Sequence, residues 1–508
     1  MDRKWWTLLV VCVGTFMLLL DITIVNVALP KIAHDLKASF SDIQWVVDAY
    51  ALTLAALLLT TGSLADLLGR RIVFAVGLCL FAITSLLCAV APTALFLILA
   101  RGGQGIGGAI MFSTSLALLA QEFHGRDRGT AFGIWGATLG AAVAVGPLVG
   151  GALTEGLGWP SIFLINVPIG IVAALVTVAR VPESRDPEGK RIDWIGTVTF
   201  TSALFMLVLA LIRGNALGWG SATIVGLLVG SVVLLVVFAV SQAVQDNAMF
   251  ELSLFRKPAF DGAALAAFTM AASMFAMFLY LTLYLQTILN LSPLQTGLRF
   301  LPITLVMFFV AYGAGNLVGR VSARLPLGAG LALIGLGLLL MRGLTATSHW
   351  TALLPGFVVA GIGIGLVNPT LASTAIAVVP PQRAGMASGI NSTFRQVGLA
   401  TGIAGLGAIF ESQLSSKLAP RLAGTPAAAH APQIAHAAAA GGAQTVLRSV
   451  PPGRRGEAAL AIHGAFAGAL NDILLVGGIV ALAGAVLALA LVRKRDFAVY
   501  GATEPVTA

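Results

Sequence analysis

Fourteen stretches of about 20 residues in this chain are almost free of charge, the length an α-helix needs to cross about 30 Å of hydrocarbon. Nothing else in the sequence narrows the fold so far. In lipid every backbone N–H and C=O has to be satisfied internally, and a helix does this within one segment. The expected spans cover residues 6–29, 42–66, 72–91, 95–121, 129–154, 161–181, 194–212, 221–242, 260–286, 297–319, 326–345, 351–378, 386–411 and 469–492. Only 10% of the 508 residues are charged, against about 25% in a soluble domain, so the fold class is all-α integral membrane. The net charge of +9 does not point to nucleic acid, because the basic residues punctuate the apolar runs instead of clustering on one face. Cys12, Cys79 and Cys88 fall inside those runs without metal-ligand spacing and read as small core residues. "MDRKWW" and the run after it have the outline of a secretory signal. That run contains Asp21 and lacks a cleavage pattern, so it reads as a retained first span.

Lysine and arginine orient the spans. With a cytoplasmic N-terminus, inside segments hold Arg3, Lys4, Arg70, Arg71, Arg126, Arg128, Arg180, Arg185, Lys190, Arg191, Arg256, Lys257, Arg320, Arg324, Arg383, Arg493, Lys494 and Arg495. Short outside segments hold only Lys31, Lys37, Arg213, Arg299 and Arg342. An even number of spans then places both termini in the cytoplasm, in a multi-pass protein of the inner (cytoplasmic) cell membrane. Residues 412–468, rich in Ala, Gly, Pro and His, fall outside and are expected to form a loosely ordered loop. His430 and His436 lack a third ligand there, so no metal is expected.

An internal repeat is visible. "GSLADLLGRR", Gly62 to Arg71, has a faded counterpart in "GNLVGRVSAR", where Gly62, Leu64 and Arg71 match Gly315, Leu317 and Arg324. "GTAFG" and "GMASG" match through Gly129, Ala131 and Gly133 against Gly385, Ala387 and Gly389. The offsets of 253 and 256 indicate one duplicated half. The expected organisation is an N-terminal six-helix half (1–181), a linker with two inserted helices (182–258) and a C-terminal six-helix half (259–508), fourteen transmembrane helices in all. Two parallel halves related by an axis along the membrane normal are a transporter architecture, with a midplane cavity that opens alternately to each side.

The pattern Gly62-x-Leu64-x-Asp66-x-x-Gly69-Arg70-Arg71 resembles the loop signature between helices 2 and 3 of the major facilitator superfamily, with Leu67 where a basic residue is usual. Fourteen spans with a central inserted pair resemble its fourteen-helix drug:proton antiporter branch. The resemblance extends to "LDITIVNVALPKI", "LARGGQGIGGA", "GPLVGG" and "WPSIFLINVPIG", the last with Pro160 or Ser161 where an arginine is usual. It implies that Gly62, Asp66, Gly69, Arg70 and Arg71 form a cytoplasmic gate that holds the outward-open state. It also implies that Asp21 pairs with Arg101 during proton coupling.

Physical reasoning runs beside this. Asp66 and Arg70 are four apart, so the acid supports the base across one helical turn, and a buried acid is costly unless paired. The two arginines could equally serve only to fix topology. Counted from the span ends, Asp21, Asp48 and Arg101 all lie about 9–13 Å below the outer surface. Equal depth allows contact, and a carboxylate whose proton affinity depends on whether Arg101 engages it is a switch for exchange. A static pair that only orients helices, and a water-facing Asp48, are the alternatives. Arg395 is a further intramembrane charge without an evident partner, and Glu411 and Asp472 fall at outer helix ends.

Gly103-x-Gly105-x-x-Gly108 has dinucleotide-fingerprint spacing but lies inside a span with no preceding strand, so it reads as helix packing and no cofactor is expected. Gly140, Gly146, Pro147, Gly150 and Gly151 in the fifth span read as a close-packed, kinked face; the resemblance associates this pattern with exporters. The expected function is proton-coupled export of largely apolar or cationic small molecules, with substrate, protons and the lipid bilayer as partners and a single chain as the working unit. An exporter of one endogenous metabolite or lipid is the alternative. The Met270, Met274, Met277, Phe275, Phe278 and Tyr280 stripe suits greasy cargo and ordinary packing equally. A membrane-embedded enzyme would need His-Glu-x-x-His, Gly-x-Ser-x-Gly or another nucleophile with its base, and none of these motifs is present, so no enzyme is expected.

Overall fold

Polar residues mark where the helices begin. Ser39 accepts the Asp42 N–H at 3.2 Å while the Asp42 carboxylate accepts the Ser39 N–H at 2.9 Å, a reciprocal cap that starts the second helix. Thr93, Asp193 and Ser221 cap later helices through their side chains. The computed structural model describes residues 2–185, 192–245, 248–315, 320–380, 383–422, 430–439, 447 and 450–493. Its long elements are α1 (Arg3–Asp35), α2 (Phe40–Leu68), α3 (Arg70–Ala89), α4 (Ala94–Glu122), α5 (Gly125–Gly156), α6 (Ser161–Arg180), α7 (Trp194–Leu217) and α8 (Ala222–Val244). They continue with α9 (Pro258–Ile288), α10 (Pro293–Gly315), α11 (Arg324–Leu340), α12 (Leu354–Ala377), α13 (Ala384–Arg421) and α14 (Arg455–Leu491). All of them are helical, and twelve are long and apolar enough to cross a membrane by length and composition. The expected spans 129–154 and 326–345 fall on α5, with 32 residues, and α11, with 17, which lie outside that set.

In the N-terminal part α2 and α3 pack on α4, α1 on α5 and α6 on α3. In the C-terminal part α11 packs on α12 and α14, α10 on α12, and α9 on α13 and α14. α7 lies along α2 and α13, whereas α8 packs mainly on α7 and turns Val225, Val229, Val232, Val236 and Val240 outward. The two largest crossings between the parts are α2 with α13 and α5 with α10, and α4 with α13 and α5 with α12 add smaller contacts. A Cβ on Gly62 would lie 2.4 Å from the Gly385 carbonyl oxygen, and one on Gly315 would lie 2.3 Å from that of Gly129. These are the glycines that the repeat pairs, so the two crossings use equivalent residues. Leu317, also part of the repeat, lies outside the described residues.

The methionine stripe of α9 is core. Met270, Met274 and Met277 are fully buried, and Phe278 packs edge-on to Phe300 of α10 at 5.3 Å between centroids. Two further expectations need correction. Arg213 is inside α7 and not in a loop beyond it. Among its described residues the segment 412–468 is largely helical: α13 runs on to Arg421, α14 begins at Arg455, and a short helix, Ala431–Ala439, packs on α13 and buries Ala431, Ala435 and Ala438. Alanine is the strongest helix former, so this composition favours helix where it can pack. Glu411 pairs with His436 at 2.7 Å and Asp472 with Lys417 at 2.9 Å, so neither acid is simply solvated.

Candidate functional site

Five helices converge on Asp21. Its carboxylate, 1% exposed, accepts from Arg101 Nη1 at 2.5 Å, from Gln104 Nε2 at 2.8 Å and from Asn166 Nδ2 at 3.1 Å. Arg101, also 1% exposed, donates through Nε to the Val46 carbonyl of α2 at 3.1 Å and through Nη1 to Gln104 Oε1 at 2.6 Å. Its guanidinium lies over the Tyr50 ring at 4.2 Å. Gln104 Nε2 donates also to Ser85 of α3 at 2.8 Å, which completes its inventory. Among the described residues, each side chain that hydrogen-bonds the carboxylate does so as a donor. Sequence reasoning found the charged pair but missed Gln104 and Asn166. One signal was present: Gln104 lies three residues after Arg101, on the same helical face.

The structure does not bring Asp48 to this network. Asp48 faces Arg213 of α7 at 3.6 Å, and that guanidinium stacks on Trp45 at 4.3 Å. Asp48 thus ties α2 to α7.

At the far end of α2, Asp66 Oδ1 accepts from Arg70 Nε at 2.9 Å and Nη2 at 2.8 Å. The same carboxylate accepts the backbone N–H groups of Gly385 at 2.9 Å and Met386 at 2.8 Å. These are free donors of the first turn of α13, where the helix dipole favours an anion. Asp66, 5% exposed, is therefore a latch across the α2–α13 crossing, and the Gly62–Gly385 approach allows it to reach. Arg71 plays a different part. Glu183 accepts the N–H groups of Arg71 at 3.0 Å and Ile72 at 3.2 Å and lies 3.6 Å from the Arg71 guanidinium, capping α3 from beyond α6. Gly69 makes that turn at φ +111°, and a Cβ there would meet Glu183 at 2.8 Å.

The glycines of α5 divide by face. A Cβ on Gly146 would overlap Thr23, and one on Gly150 would lie 3.2 Å from Ile24 of α1, including its backbone. A Cβ on Gly140 would overlap the Met307 methyl of α10. Gly151 has nothing within 4 Å of such a Cβ, so it does not belong to the packed face; residue 151 is turned about 100° from residue 150. Of Pro147, the backbone of α5 alone is described. Gly150→Val is expected to cost about 1–3 kcal/mol through overpacking against Ile24, read as a lower melting temperature in detergent with reduced transport. Gly151→Val should match the parent. Equal stability of the two variants would overturn the close-packing assignment.

Arg395 of α13 donates through Nη2 to Asn368 Oδ1 of α12 at 3.3 Å. The position of a Cβ on Gly136 of α5 is 3.5 Å from the Asn368 Cβ, so this pair lies where α5 of the N-terminal part meets α12.

The sequence profile of the Major Facilitator Superfamily matches residues 11–403. The chain belongs to that superfamily. Multidrug resistance protein Stp of Mycobacterium tuberculosis is 36% identical to it over 82% of this chain and 78% of Stp. The tetracenomycin C resistance and export protein of Streptomyces glaucescens is 33% identical over 97% of this chain and 92% of its own. Among solved structures, the human organic anion transporter MFSD10 superposes with a TM-score of 0.60 at 16% identity, covering 95% of this chain and all of MFSD10, a likeness of fold. This major facilitator protein is thus a multi-pass membrane transporter and not an enzyme.

Proposed function

We propose that this transporter is a proton-driven antiporter that exports small, largely apolar molecules. In this reading it has fourteen membrane spans, arranged as two six-helix halves (1–181 and 259–508) and an inserted pair (182–258). Both termini are cytoplasmic, and a single chain is the working unit. The observation that carries the proposal is the Asp21 network, a buried carboxylate whose three donors come from α4 and α6 and whose main partner, Arg101, also holds α2. Loading a proton loosens Arg101 from Asp21, and with it the contact between α1, α2 and α4. Asp66 supplies the second half of the cycle, because the Gly385 and Met386 N–H groups are released when the cytoplasmic ends part. Both relatives carry resistance in their names, which supports outward transport.

A second reading, an exporter dedicated to one compound, has the tetracenomycin C relative in its favour. The test of the first is reconstitution in vesicles with an imposed proton gradient and a panel of lipophilic dyes and antibiotics. Accumulation of several unrelated compounds, abolished by a protonophore, is expected. Movement that ignores collapse of the gradient would remove the proton from the mechanism, and movement of one compound alone would favour the second reading.

A further inference from the structure

The membrane-embedded charges are unequal in one respect. Arg70, Arg101 and Arg213 each face an acid, namely Asp66, Asp21 and Asp48, whereas Arg395 forms no ion pair among the described residues. Arg395 lies eleven residues into α13, about 16 Å from its start and so at mid-membrane depth. Its Nε makes no hydrogen bond among the described residues, and the same is true of Asn368 Nδ2 and Asn391 Oδ1. Asn368 and Asn391 are 0% and 4% exposed, so these are buried polar atoms left open. Asn391 is one turn before Arg395 on α13, and it lines a small cavity with Phe260, Ala264 and Ala375. A half-buried cation without a counter-charge among the described residues, beside buried amides with open polar atoms, is expensive in the hydrocarbon zone and marks a binding site by default.

We propose that Arg395 and Asn368 form the recognition site for an anionic oxygen on the cargo, a carboxylate or a phenolate. Guanidinium Nε and Asn368 Nδ2 are open donors, the equipment for holding such an oxygen, and the apolar body of the cargo then lies along the α9 and α12 side chains. Asn368 sits at the α5–α12 seam, so the site is uncovered as the halves part. The acids Asp21, Asp48 and Asp66 already have their cations, which leaves none of them to recognise a cationic cargo. This inference rests on the exporter reading and narrows its substrate class.

The experiment measures binding of three xanthene dyes to the purified full chain: fluorescein as the anion, its O-methylated methyl ester as the neutral form, and rhodamine 6G as the cation. Arg395→Gln removes the charge. Asn368→Asp keeps Arg395 but gives it an internal carboxylate, so that variant stays folded, as an unchanged or higher melting temperature will show. Both variants are expected to weaken fluorescein binding about tenfold or more while leaving the other two dyes within about twofold. Undiminished fluorescein binding in either folded variant, or an equal loss of all three dyes, overturns the proposal. The exporter reading fails separately, if the parent protein moves none of the dyes under a proton gradient.

Discussion

Asp21→Asn is expected to abolish proton-driven export while leaving a protein that still binds cargo. The substitution keeps the shape but turns one of two acceptor oxygens into a donor. That NH2 would face Arg101 in one orientation, or Gln104 and Asn166 in the other. It also leaves Arg101 as an uncompensated buried charge, a loss of about 3–5 kcal/mol when one partner of a buried pair is removed. The decisive quantity is cargo-induced proton release from the purified protein, which should vanish in the variant. Undiminished release would move the proton elsewhere, with Asp48 as the next carboxylate. Arg101→Lys should also impair coupling. A lysine keeps the charge but has no fork to hold Asp21, Gln104 and the Val46 carbonyl together.

The second large effect concerns the latch. In Asp66→Asn one of the two α13 N–H groups loses its acceptor and Arg70 loses its counter-charge, each worth about 1.5–3 kcal/mol as a charge-assisted hydrogen bond. The equilibrium should shift by tenfold or more toward the state with parted cytoplasmic ends. Spin labels at Leu68 and Leu325, both exposed beside the α2 and α11 ends, report the separation. A distance distribution identical to that of the parent would reduce Asp66 to a fixed structural pairing. Transport should fall in parallel.

Much of this was legible because membrane depth is arithmetic. It put Asp21, Asp48 and Arg101 at one level; the family resemblance singled out Asp21 with Arg101, and the structure joins those two. Each of the fourteen expected segments falls mostly on a helix among the described residues, and twelve of those helices are long and apolar enough to cross a membrane. Neutral partners were harder to see, since Gln104 and Asn166 carry no charge to make them conspicuous in an apolar run. Asp48 was left without a neighbour for a simpler reason: ending the seventh span at residue 212 put Arg213 outside it, one residue short of recognising its mate. Gly151 was grouped with Gly150 by adjacency, although the helical period separates their faces. The segment 412–468 was misjudged because low complexity was taken for disorder, when its alanines had the end of α13 to pack against.

The two glycine crossings differ in what they cost to open. Gly62 with Gly385 carries the Asp66 carboxylate across the seam, whereas the sequence repeat gives Gly319, which lies outside the described residues, as the position equivalent to Asp66. Parting the first crossing breaks charge-assisted bonds to a helix terminus. At the second, the sequence supplies no acid to do the same, and the close backbone contact can roll without losing an ion. A duplicated half that kept both acids would have to release two locks at once. With the acid in one repeat alone, an anchored clasp stands at one crossing and a plain glycine contact at the other, so the two crossings are expected to part unequally, like a door on its hinge.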